Sequence, residues 1–368
     1  MISTRPVTTL DELATLEEVW QDLLGQSSAD QVFLTWSWLY TWTKYYLGSH
    51  RLLVLLMTDG PHLIGIAPLY IKVETAGGIA GLRRVVFLGT GEVCSGHLDL
   101  IARDDRKHDV VSAVLSYLFG EARPTWDLLT LQDIPAESTS IDSVEQVIGE
   151  AGKVMEISGH TCSPTIRLPT TGEEFLAGIS GNARAHLKSK RRRLDAAGTV
   201  RFECLTSPDD ARERFPQFVA LYRTRWEGRA KGDQFQSPAF WAFHREMVEV
   251  LGRRDQLRLH FLLLDGEPIA GIYAVQYEGR SSFYLPAFDP TTHADSSPGI
   301  LLLSACVQRA IQETSREFDL LRGAAPYKMA WSNAIRRSLT LQVYNRDLRA
   351  AGYRLVESGK SVIKVLCR

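Results

Sequence analysis

The stretch 259-LHFLLLDGEPIAGIYAVQY-277 sets two apolar, alternating runs on either side of Asp265-Gly266. Period-two alternation marks strands, and Asp-Gly between two such runs marks a tight β-hairpin. The pattern occurs earlier as well, in 52-LLVLLMTDGPHLIGIAPLY-70. There Asp59, Gly60, Gly65 and Ile66 match Asp265, Gly266, Gly271 and Ile272 at a constant offset of 206.

Further along, 110-VVSAVLSYLFGEARPTWDLLTL-131 matches 302-LLSACVQRAIQETSREFDLLRG-323. Ser112, Ala113, Asp127, Leu128 and Leu129 fall on Ser304, Ala305, Asp319, Leu320 and Leu321 at offset 192. The order hairpin, helix, buried strand therefore occurs twice, as in a duplicated domain. The difference in offset, 206 − 192 = 14, places fourteen extra residues in the first copy, expected around the Gly-rich 74-ETAGGIAGL-82, with 89-GTGEVCSG-96 either part of the excess or a wall of the acceptor site. The fold expected is α/β, two tandem units each with a mixed β-sheet flanked by helices, divided as 1–165 and 166–368. The second unit should open with a helix around 173–198, followed by one at 209–229 that Pro216 bends or divides.

Composition excludes several classes. The chain has 368 residues, 45% hydrophobic and 23% charged, with a net charge of −1. Such a balance gives no broad positive field for DNA. Its five cysteines, Cys94, Cys162, Cys204, Cys306 and Cys367, have no C-x-x-C or His-paired spacing, so neither a zinc site nor a disulfide framework is expected and a reducing cytoplasm suits them. No secretory signal or membrane-length apolar run is visible.

Charge is uneven locally. In 293-HADSSPGI-300, Ser297 can cap a helix that begins at Pro298, and the first turn holds no acid. Free N–H groups beside Gly299 form a ready anion site, although a plain Ser-Pro cap is the alternative. The matching place in the first copy, 103-RDDRKHDVV-111, carries its own charges, Asp105 and Asp109 among them. A second concentration is 184-RAHLKSKRRRLD-195, six basic residues that form either a solvated helix face, packed through Leu187 and Leu194, or a dock for a small phosphorylated ligand.

The hairpin, the loop 293-HADSSPGI-300 and 318-FDLLRGAAPYKMAWSN-333 resemble the CelD/BcsL-like acetyltransferase family of the GNAT superfamily, related to Fem-type peptidyltransferases with two GNAT-like halves. The resemblance runs from about Phe33 to Arg346. It implies an N-acyltransferase that moves an acetyl or other acyl group from acyl-CoA to an amine, a small molecule or a glycan precursor in envelope polysaccharide or glycolipid synthesis. The donor would be held at Ser297, Gly299 and Ile300. By residue type, Arg322 at the end of a buried strand pairs with Asp319 or with a ligand phosphate or carboxylate, and Lys328 either binds a phosphate or is solvated. In the superfamily loop pattern Ala294 takes the Q/R position, Ser297 the first glycine and Gly299 the last.

Tyr327 stands where the related fold keeps the tyrosine that protonates the leaving thiolate; Asp289 and His293 are the possible bases. Trp226 and Trp331 could wall the acceptor pocket, core packing being the alternative. The first unit would be non-catalytic and on the acceptor side, and no metal is expected. The rival readings are a Fem-type transferase drawing on aminoacyl-tRNA and a non-catalytic accessory protein of polysaccharide synthesis.

Overall fold

The computed structural model describes residues 2–228, 232–345, 349–354 and 356, so Cys367 lies outside it. The chain divides into two compact units. One is Met1–Thr161 together with the segment from Arg337; the other is Cys162–Arg336.

The first unit contains β1 (Ile2–Val7), α1 (Leu10–Ala14), α2 (Glu17–Gly25), α3 (Trp36–Tyr46), β2 (Arg51–Asp59), β3 (His62–Ala76), β4 (Ile79–Phe87), β5 (Ile101–Ala102), α4 (Lys107–Phe119), β6 (Leu128–Pro135) and α5 (Thr139–Glu150). The strand β7 (Met155–Arg167) leads into the second unit. There follow α6 (Gly172–Gly178), α7 (Gly181–Asp195), β8 (Val200–Leu205), α8 (Pro208–Trp226), α9 (Pro238–Arg253), β9 (Leu257–Leu264), β10 (Glu267–Tyr277), β11 (Arg280–Phe288), α10 (Pro298–Gln312), β12 (Glu317–Asp319) and α11 (Pro326–Trp331). Finally β13 (Ala334–Tyr344) returns the chain to the first unit.

Strand order repeats between the units. In the first it is β1-β2-β3-β4-β6-β13, and in the second β8-β9-β10-β11-β12-β7. Each is antiparallel except for one parallel pair, β4 with β6 and β11 with β12. The boundary expected at 165/166 needs correction at both ends. Thr165–Arg167 already pair with β12, and Ser338–Tyr344 pair with β6, so the end of the chain supplies the first unit's last strand.

Both hairpins form, with turns that differ from the expected equivalence. In the first unit Asp59 pairs with His62, leaving Gly60-Pro61 as the turn; in the second Leu264 pairs with Glu267 around Asp265-Gly266. Asp265 and Gly266 have φ of 51° and 90°, the signature of a type I′ turn, whereas Gly60 has φ 57° and proline fixes a negative φ next to it, as in type II′. The structural offset is thus 205 (264 − 59), and the two shared Asp-Gly pairs are not equivalent. A one-residue slip reverses faces. Accordingly Gly65 lies against Val110 of α4, and Gly271 against Phe218 of α8.

The extra residues of the first unit fall in both Gly-rich stretches, since β3 runs on past the length of β10 into 74-ETAGGIAGL-82. β3 is fifteen residues long against eleven in β10, and the remaining excess lies in the segment 88–106, which includes 89-GTGEVCSG-96.

Two layers of helix cover the second unit's sheet. Ala270, Ile272 and Ala274 share a core with Leu302, Leu303 and Val307 of α10. On the other face Phe215 and Phe218 of α8 meet Tyr273 edge-on, at ring centroids 6.2 and 6.3 Å apart. Pro216 leaves α8 unbroken. The helix expected over 173–198 is instead two, with Ser180 capping the second by accepting a hydrogen bond from the Ala183 N–H.

Candidate active site in the second unit

β11 pairs with β12 through Arg280, Ser281 and Ser282 alone, and the rest of β11 runs on to Phe288. A β-bulge falls at Tyr284, since Ala274 pairs with Phe283 and the preceding Tyr273 with Leu285. Bulges re-aim a strand and increase its twist. Beyond this divergence lies a cavity of about 350 Å³, bounded by the end of β11, the loop 289–297, the first turn of α10, Tyr327 and Arg225.

Gly299 is in tight contact there, because a Cβ at this position would stand 3.0 Å from the Phe288 ring. Pro298 occupies the first position of α10 and the first turn has no acid. Ser297 departs from the expected cap: it is left-handed, with φ 45° and ψ 63°, and makes no capping hydrogen bond. Serine here holds a left-handed conformation natural to glycine. Its Oγ accepts a hydrogen bond from the Lys190 ammonium of α7, and Arg193 Nη1 reaches the Asp295 carbonyl at 3.4 Å. Two members of the basic segment therefore meet the loop at the positive end of a helix dipole, where an anion is stabilised and a cation is not.

Tyr327 is a half-buried residue of the short helix α11. Burial raises its hydroxyl pKa above the usual tyrosine value, and Arg225, hydrogen-bonded to it, opposes that rise. Arg225 also donates to the Pro286 carbonyl and stacks over Phe288 with its guanidinium 4.7 Å from the ring centroid. This fixes a cation beside the Tyr327 hydroxyl and the end of β11.

Ser297, Gly299, Ile300, Asp289 and Tyr327 thus line one cavity. The Asp289 carboxylate, however, is engaged with the N–H and hydroxyl groups of Thr291 and Thr292, which hold it far below the usual carboxylate range. Its chemistry is that of a turn fastener, since a group so stabilised as an anion is a weak proton acceptor. His293, the other base considered, lies within the loop in a left-handed conformation and does not line the cavity.

The other candidates lie outside this cavity. Lys328 donates to the Leu321 and Arg322 carbonyls at 3.3 and 2.9 Å, so it ties the segment after β12, and the Arg322 side chain is exposed. Trp331 is buried against Phe175, with centroids 5.9 Å apart, and takes the core role. Trp226 packs beneath Arg225 at the end of α8, 5.1 Å from guanidinium to ring centroid. Sequence reasoning missed Arg225, whose cavity contacts lie 61 residues downstream.

Comparison with known proteins identifies this frame. Residues 181–329 match the family described as Acetyltransferase (GNAT) domain. The second unit carries a GNAT-type acyltransferase fold. No curated protein sequence matches the chain. Among solved structures, FemX is similar with a TM-score of 0.63 at 11% identity, over 96% of this chain and all of that one. A tandem GNAT protein from the clavulanic acid biosynthesis pathway gives 0.51 at 12%, over 94% and 99%. L-PGS from Bacillus licheniformis gives 0.52 at 15%, over 92% and 96%. At such identities the likeness is one of fold, here of tandem GNAT architecture; the CelD/BcsL-like assignment stays at the level of resemblance.

The two helix starts differ as expected. In the first unit Asp105 pairs with Arg103, and Asp109 with Arg106. Lys107 is buried: its ammonium donates to the Leu100 carbonyl at 2.7 Å and lies 3.7 Å from Asp99. Asp99 in turn accepts from the hydroxyls of Ser138 and Ser140. That helix start is closed by its own side chains. Among the described residues no cluster of His, Cys, Asp or Glu could hold a metal, and no helix is long and apolar enough to cross a membrane.

Proposed function

We propose that the second unit transfers an acetyl or other acyl group from acyl-CoA to an amine. The observation that carries this reading is one cavity bounded both by the acid-free first turn of α10, with Lys190 at Ser297, and by the hydroxyl of Tyr327. A pyrophosphate at the helix start would meet backbone N–H donors and the Lys190 ammonium. The pantetheine arm would then follow the open end of β11 toward Tyr327.

Transfer needs an unprotonated amine to attack the thioester carbonyl, forming the C–N bond, and a proton for the thiolate as the C–S bond breaks. Tyr327, kept protonated by its surroundings, supplies that proton; Arg225 steadies the negative charge left on its oxygen. Asp289 holds the loop, and the amine loses its own proton to solvent or to another group.

In this reading the first unit, its own helix start closed, serves the acceptor. By resemblance alone the acceptor is an amine on an envelope polysaccharide or glycolipid precursor.

Calorimetric titration with acetyl-CoA and CoA tests the donor. Micromolar binding of both, with transfer to an amine acceptor, supports the reading. Absence of binding by folded protein removes it. The exposed Lys188 and Arg192 of α7 favour a second, Fem-type reading with an aminoacyl-tRNA donor. Transfer from charged tRNA without CoA binding would establish it, and absence of both activities would point to the accessory reading.

A further inference from the structure

A second cavity, about 660 Å³, lies between α7 and α10 over β8 and β9, and shares no residue with the first. Its size is within the range of small-molecule sites, roughly 300–1,000 Å³. Arg184, Leu187, Lys188 and Arg191 reach it from one face of α7, at the spacing of successive helical turns. The basic segment is thereby divided: Lys190 and Arg193 serve the loop before α10, and this face serves the groove.

The floor is uncharged. Leu301 and Leu302 of α10 are buried there beside Cys204 and His260, whose Sγ and Nε2 are 4.0 Å apart. Burial pushes the Cys204 thiol up to about 11 and the His260 imidazole down to about 3, so both are neutral near pH 7. Phe202 of β8, 39% exposed, extends this apolar surface to the solvent.

The mouth is cationic. Arg191 pairs with Asp195 and Arg309 with Glu313, while Arg184 holds three carbonyls at the end of α6. The lining acid, Glu203, is neutralised by Arg201 and Arg214. Lys188 stands exposed over the groove with no ion pair or hydrogen bond among the described residues. The arrangement asks for a ligand with one anionic end and an apolar body. A nucleotide fits less well, because the floor is formed by Leu301 and Leu302 and by a thiol and an imidazole that face each other.

We propose that this groove binds a long-chain fatty-acid anion, with its carboxylate at Lys188 and its chain along Leu187, Leu301, Leu302 and Phe202. The proposal is independent of the reaction assigned to the other cavity.

Calorimetry of the full chain with oleate, oleyl alcohol and AMP tests it, with hydrogen exchange of the 200–205 backbone as the locator. Oleate should bind at least tenfold more tightly than either comparator and slow exchange in β8. Lys188→Glu should weaken oleate at least tenfold, since the new carboxylate repels it at an exposed position that leaves the fold unchanged by circular dichroism. Ala305→Trp, which fills the groove from α10, should do the same. Oleate affinity unchanged in folded Lys188→Glu, protection elsewhere than β8, or AMP binding as tightly as oleate would each overturn the proposal.

Discussion

Lys190 of α7 donates its ammonium to the hydroxyl of Ser297, the residue immediately before α10. A cation thus stands where a helix already presents its positive end, an arrangement that gains most when an anion enters between them. Lys190→Met should lower acyl-CoA affinity about tenfold, within the range of one charged hydrogen bond. The wild-type salt dependence should also be shallow, as for one or two phosphates. Calorimetry across a salt series checks both, and a steep slope with strong tRNA retention would favour the aminoacyl-tRNA reading.

Gly299→Glu attacks the same point from the helix. Its Cβ would press on Phe288 and its carboxylate would lie at the anion position. The expected result is loss of CoA binding by at least tenfold, with the circular dichroism spectrum retained. Wild-type affinity in the folded variant would dismiss the helix start as the donor site.

Tyr327→Phe removes the proposed thiolate acid and leaves the ring. Acid catalysis contributes typically about 10²- to 10⁴-fold, so kcat should fall by roughly 100-fold or more with little change in CoA affinity. Because burial raises the hydroxyl pKa above the ordinary tyrosine value, Tyr327 stays protonated through the neutral range, and its loss should leave no new limb in the kcat profile there. Pre-steady-state kinetics, where chemistry limits the rate, makes the comparison.

For Asp289 the linkage sign runs the other way. Its folded pKa is depressed, so the stability contributed by its bonds to Thr291 and Thr292 is fully present above about pH 4 and is lost only as pH falls further. Asp289→Asn should therefore leave the kcat/KM profile between pH 5 and 9 unshifted and reduce activity less than about tenfold. Disappearance of the acidic limb in the variant would restore Asp289 as the general base.

In the first unit Lys107→Glu would set a second carboxylate beside buried Asp99. Breaking a buried pair in this way costs about 3 kcal/mol or more. The urea midpoint should fall clearly, whereas Lys188→Glu, at an exposed position, should leave it within error.

Where the chain's own local chemistry decides, the sequence was readable. Alternation and Asp-Gly located both hairpins, and Pro298 located the start of α10. The turn type was not readable, because Pro61 captures the second turn position in one hairpin and shifts identical dipeptides by a residue. Nor was the partner of Ser297, which lies 107 positions away along the chain. Asp289 illustrates a different limit: its residue type suits a base, but two threonine neighbours consume its lone pairs. Trp331 and Lys328 were assigned by residue type, and packing on Phe175 and loop carbonyls respectively decided otherwise.

The strand exchange has a consequence for biosynthesis. The second unit is one continuous stretch, Cys162–Arg336, whereas the first is closed by β13, which the ribosome makes only afterwards. Nascent domains usually fold in the order in which they emerge. Here the later-encoded unit can complete its sheet first, while β6, with Leu128, Leu129, Leu131 and Ile134, waits with an unpaired edge for Ser338–Tyr344. Translational stalling near residue 336 would hold that apolar edge open and make the first unit a client for chaperones.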